Sequence, residues 1–254
     1  MKRFLSLSIL FFISLLGGCR PTSPSQSDDP LRILFIGNSY TFVNEMPEVF
    51  SELAELGDHD VNVTMLAKAG FSLKDHAQDP ETRKVLDSQS WDYVILQEKS
   101  DLPVLDREEM THGVRQLDEL TAGHGTKTIL FMPWAYRDGL PSAELEDYQA
   151  MQSLVSDAYL AVAGDFELSV APVGIVWQAA LERDPQLDLW SSDGSHPTPL
   201  GSYLAANVFY ALIFSQSPIG KTDFEGTELT MKTEKLLQEI TADLVLDDPE
   251  KWNP

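Results

Sequence analysis

The sequence predicts an α/β domain, a parallel sheet with helices on both faces, from three observations. Short apolar runs of strand length alternate with segments of helical periodicity from residue 31 onward. The first run, Leu31-Arg32-Ile33-Leu34-Phe35-Ile36, is nearly continuous in apolar residues, as a strand buried on both faces must be. The chain has 254 residues, enough for one such domain with a substantial core, and it shows no internal repeat.

The elements follow in order. Gly37 ends the first strand, so Ser39 falls just past its carboxyl end, where open α/β sheets bind ligands. Residues 46–56 place Val49, Leu53 and Leu56 at helical spacing and stop at Gly57. Residues 61–67 read as a second strand followed by Ala69-Gly70, and a weakly patterned helix is expected over 73–86. Strands are expected at 91–96, 128–132 and 168–173. Helices are expected at 108–120 and 143–162, with a short one through Trp177 and Leu181. A loop over 187–201 precedes a strongly apolar helix at 200–214, and a last helix over 228–246 puts Leu236, Leu237, Ile240 and Leu244 on one side.

The N-terminus reads as a targeting segment. Lys2 and Arg3 precede an apolar run over 4–16, and Leu15-Leu16-Gly17-Gly18 lead to Cys19, the only cysteine in the chain. The run is too short to span a bilayer comfortably. This arrangement resembles the bacterial lipoprotein signal, which implies a signal peptide over 1–18, a lipid on Cys19 and an extracytoplasmic, membrane-anchored protein. Residues 19–30 then form a polar, proline-rich tether, and 31–254 the folded domain. A single cysteine leaves no intramolecular disulfide. With 40 acidic against 18 basic residues the net charge is −22, which repels a phosphate backbone and argues against nucleic acid as a partner.

Two stretches carry the chemistry. Gly37-Asn38-Ser39-Tyr40-Thr41 follows the first strand, and Asp193-Gly194-Ser195-His196-Pro197 precedes the helix that opens near Gly201. A serine hydroxyl is a poor nucleophile at neutral pH and needs a base within hydrogen-bond reach, which in turn needs an acid to fix its tautomer. Alone, Ser39 reads as readily as a helix cap, and His196 as an exposed or capping residue. Together, in this order and spacing over residues 31–214, the two stretches resemble the SGNH, or GDSL-type, hydrolase superfamily.

That resemblance implies a flavodoxin-like three-layer sandwich with a five-stranded parallel sheet, and a triad of Ser39 as nucleophile, His196 as base and Asp193 as orienting acid. It implies an oxyanion hole built from the Ser39 backbone N–H, Gly70 and a donor after the third strand. Asn38 replaces the usual aspartate of the first block, and the family's Gly-x-Asn-Asp does not follow Leu96. Gln97 stands there instead, either as the third donor or as a polar residue ending a strand.

Other residues read as follows. Glu98 is expected on solvated surface. Trp134 and Tyr136, after the fourth strand, either wall the site or pack in the core. Glu108, His112 and His124 do not make a closed ligand set, so no metal is expected, and the absence of Gly-x-Gly-x-x-Gly gives no dinucleotide fingerprint and no cofactor. The expected function is a serine esterase that deacylates a small-molecule or glycan ester. The alternatives are an acyltransferase with the same triad, or an inactive binding module.

Overall fold

A computed structural model describes residues 29–122, 125–221 and 231–253. Cys19, the signal and most of the tether lie outside these residues, as do His124 and the start of the last expected helix.

The sheet contains β1 (Leu31–Gly37), β2 (Val61–Ala67), β3 (Tyr93–Leu96), β4 (Lys127–Phe131) and β5 (Ser169–Ala171) in the order β2-β1-β3-β4-β5. Every pairing is parallel. This is the expected five-stranded three-layer sandwich. Ile33, Leu34, Phe35 and Ile36 are all fully buried, which explains the continuous apolar run, since both faces of this interior strand are covered.

One helical layer is built by α2 (Met46–Leu56), α9 (Pro199–Phe214) and α10 (Met231–Leu246), which pack on one another. Phe35 reaches this layer through edge contacts with Phe50 and Phe209. A second group contains α3 (Leu73–Gln78), α4 (Pro80–Leu86), α5 (Leu102–Leu105), α6 (Arg107–Thr121) and α7 (Tyr148–Phe166). The chain also forms α1 (Ser39–Phe42), α8 (Val173–Arg183) and α11 (Pro249–Trp252).

The expected helix over 73–86 is two helices. Asp79 ends α3, caps α4 through a bond from the Glu81 N–H at 3.0 Å, and is followed by Pro80, which cannot continue a helix. The helix expected from 143 starts at Tyr148, because Asp147 caps it by accepting from the Ala150 N–H at 2.8 Å. The loop before it is held by a bridge between Leu140 and Leu145.

Candidate active site

The first stretch is shaped by close approach. A Cβ on Gly37 would come within 2.3 Å of Thr41 Oγ1 and 2.7 Å of Gln97 Oε1, two atoms bonded to each other at 3.0 Å and so unable to give way. Asn38 then caps α1, its Oδ1 accepting from the Tyr40 N–H at 3.2 Å, so capping does not engage the Ser39 hydroxyl. The Asn38 Nδ2 donates to the Phe71 carbonyl at 3.0 Å, a bond that the usual aspartate could not make. That tie fastens the nucleophile turn to the loop carrying Gly70. Gly70 is exposed and left-handed, with φ +73°.

The second stretch is a closed loop. Trp190 and Pro197 form an antiparallel bridge, and the Ser191 N–H donates to the His196 carbonyl at 2.8 Å. Gly194 turns the chain at φ +70°. Asp193 Oδ1 accepts from the N–H groups of Ser195 and His196, each at 2.9 Å, and its Oδ2 lies 2.6 Å from His196 Nδ1. The bond to His196, then those from the two amides, pull the Asp193 carboxyl down to about 2. An ionised Asp193 accepts from Nδ1–H, which leaves Nε2 as an acceptor. His196 Nε2 is 2.9 Å from Ser39 Oγ, across 157 positions of sequence. Such a chain can take a proton from the serine as its oxygen attacks and stabilise the imidazolium that results.

The fold and this geometry have counterparts among solved structures. A candidate SGNH hydrolase from Slackia heliotrinireducens matches at 28% identity and a TM-score of 0.63, over 71% of this chain and 97% of its own. The chain belongs to the SGNH hydrolase superfamily. A DUF4886 family protein from Bacteroides uniformis matches in fold at 19% identity and TM-score 0.71, over 86% of this chain and 95% of its own. A lipase/acylhydrolase from Enterococcus faecalis does so at 15% and 0.57, over 73% and 96%. No protein-family model and no curated protein matches the sequence.

As an SGNH hydrolase the chain is a hydrolase of ester bonds at the level of the superfamily. Its third block departs from the expectation for Gln97. That side chain is fully buried, and its Oε1 accepts from the Asn38 N–H and from Thr41 Oγ1, each at 3.0 Å. An amide N–H can only donate, so the orientation is forced, and Nε2 turns to the Glu98 carbonyl. Gln97 is a strut beneath the serine turn, its side chain turned into the protein interior.

Glu98 is likewise not on the surface. It is fully buried, with Oε1 accepting from the Leu73 N–H at 3.1 Å and the Lys99 N–H at 2.6 Å, while Oε2 has no partner among the described residues. Burial raises its carboxyl to about 7, against the pull of the two amides. Trp134 is core, stacked on Tyr40 at 4.7 Å and on Trp177 at 4.3 Å, so it is no platform for a sugar. Tyr136 is half-buried and meets Ser100 Oγ at 2.7 Å. Sequence reasoning passed over His76, whose imidazole lies against the Gly37 carbonyl. Its position on a helix with other apolar neighbours was the available signal.

Proposed function

We propose that this SGNH hydrolase cleaves a carboxylic ester through an acyl-enzyme on Ser39 and transfers the acyl group to water. The observation that carries the reading is the pair of short bonds, 2.9 Å from Ser39 Oγ to His196 Nε2 and 2.6 Å from His196 Nδ1 to Asp193 Oδ2. Ser39 Oγ attacks the carbonyl carbon while His196 takes its proton. The developing oxyanion is met by backbone N–H groups, with those of Ser39 and Gly70 as the assigned donors. His196 then protonates the leaving alkoxide, and the C–O bond breaks. Water attacks the acyl-serine with His196 again as base, and the carboxylic acid departs as the serine regains its proton.

For the substrate we favour an acylated glycan with a short acyl group. The side chains of His196 and Asp193 remain 36% and 50% exposed, which suits a small acyl group on a large alcohol presented from solvent. An envelope location, with a lipid on Cys19 after removal of residues 1–18, would place the enzyme beside such polymers. That reading rests on Lys2, Arg3, the apolar run and the Gly17-Gly18-Cys19 ending.

Hydrolysis of p-nitrophenyl acetate by wild type and Ser39→Ala tests the reaction. Loss of turnover in the variant supports it, and equal rates would favour the binding module that the inward-facing Gln97 suggests. Acetate release from acetylated polysaccharide tests the substrate, and activity confined to long-chain esters would overturn the glycan preference. Product analysis with an added sugar acceptor separates hydrolysis from acyl transfer.

A further inference from the structure

We propose that Tyr40 and Asn44, both within five positions of Ser39, are positioning residues that grip the chain on either side of His196 and so set its distance from the nucleophile. The inference rests on Ser39 and His196 acting as nucleophile and base.

Tyr40 is nearly fully buried, and its hydroxyl lies 2.8 Å from Ser195 Oγ. Its ring stacks on Trp134 and stands edge-on to the His196 imidazole at 5.9 Å. Trp134 completes the hold, its Nε1–H donating to the Ser195 carbonyl at 2.9 Å. Ser195 is thus fixed through side chain and backbone. Burial keeps the Tyr40 phenol far above the usual tyrosine range, so it stays a neutral hydroxyl throughout the working pH range.

Asn44 grips the other side. Its Nδ2 donates to the Pro197 carbonyl at 3.0 Å and to Ser202 Oγ at 2.9 Å. It does so from a left-handed backbone, φ 56°, followed by Glu45 at φ 53°. Two consecutive left-handed non-glycine residues are uncommon and persist where surrounding bonds enforce them. Here one of those bonds ends on the residue after His196 and the other on Ser202, in the first turn of α9. Because the same short segment carries Ser39 and both attachments, movement of the nucleophile is transmitted to the base.

The test measures kcat, KM and Tm on p-nitrophenyl acetate for Tyr40→Phe and Asn44→Gly, each alone and in a His196→Ala background. Phenylalanine keeps the stack and glycine tolerates the positive φ, so each substitution removes chiefly the polar grip. The expected result is a kcat about 10- to 100-fold lower with KM within about twofold, since a misplacement near 1 Å can cost that much. In the His196→Ala background the same substitutions should change the residual rate less than about twofold. Unchanged kcat in both variants, or equal losses with and without His196, would overturn the proposal. If Tyr40→Phe lowers the folded fraction, Ser195→Ala removes the same hydroxyl pair from the loop side and is read by the same criteria. Wild-type rates in Ser39→Ala and His196→Ala would instead show that the site reading itself fails.

Discussion

His76 donates from Nε2 to the Gly37 carbonyl at 2.7 Å, tying a fully buried imidazole on α3 to the last residue of the strand that delivers Ser39. A carbonyl only accepts, so Nε2 carries the proton and Nδ1 faces Thr82 Oγ1 at 3.3 Å. Burial lowers the His76 pKa, leaving the ring neutral in the folded protein.

The consequence is a loss of stability on acidification. Below the unfolded value, about 6.5, the unfolded chain binds a proton at this residue that the folded chain refuses, so stability falls as pH drops from there toward the folded value. His76→Ala should remove that part of the slope and cost about 2–4 kcal/mol through the lost bond and the cavity. Thermal unfolding of both proteins between pH 5 and 8 checks this, and parallel curves would contradict it.

Glu98 works with the opposite sign. Its folded carboxyl titrates near 7 against an ordinary 4.5, so the folded state holds a proton that the unfolded state has released, and stability declines as pH rises between those values. Glu98→Gln keeps the acceptor for the Leu73 and Lys99 amides and removes the charge. The variant should gain on wild type from pH 5 to pH 8 by up to roughly 3 kcal/mol, visible as converging or crossing Tm curves.

Gln97→Ala separates strut from oxyanion donor. Removing Oε1 strands the Asn38 N–H and the Thr41 hydroxyl in a buried site, so unfolding free energy should drop by about 2–4 kcal/mol. A side chain that served only the oxyanion would lower kcat with little change in Tm. Urea denaturation beside steady-state kinetics decides between them.

For the triad, His196→Ala should reduce kcat by at least about 10³-fold with KM little changed. Asp193→Asn should lose roughly 10²- to 10⁴-fold, because an amide can present Nδ2–H to the ring and favour the wrong tautomer. Wild-type turnover in the histidine variant would refute its role as base.

Much of this architecture was legible in the chain. The apolar run before Gly37 placed Ser39 at a carboxyl edge, and α2 begins and ends where the 46–56 pattern put it. The contact between Asp193 and His196 was readable because the two stand three positions apart and a tight loop brings them together. Side-chain direction at the strand end was not readable. Gln97 reads as an oxyanion donor or a polar strand end and Glu98 as a solvated residue, yet both turn inward, because the serine turn and the α3 amides supply buried donors that need acceptors. Trp134 was ambiguous for a related reason, since only the fold reveals that Tyr40 and Trp177 sandwich it. Asp79-Pro80 did carry the break between α3 and α4, and the weak hydrophobic pattern across it reflects two short helices divided at Asp79.

The bridge from Trp190 to Pro197 also closes the loop into a unit of its own. Because Asp193 holds two amides of its own loop as well as the imidazole, carboxylate and ring are one cassette that can tilt without coming apart. Release of the Tyr40 and Asn44 holds would therefore widen the gap to the serine while leaving acid and imidazole joined.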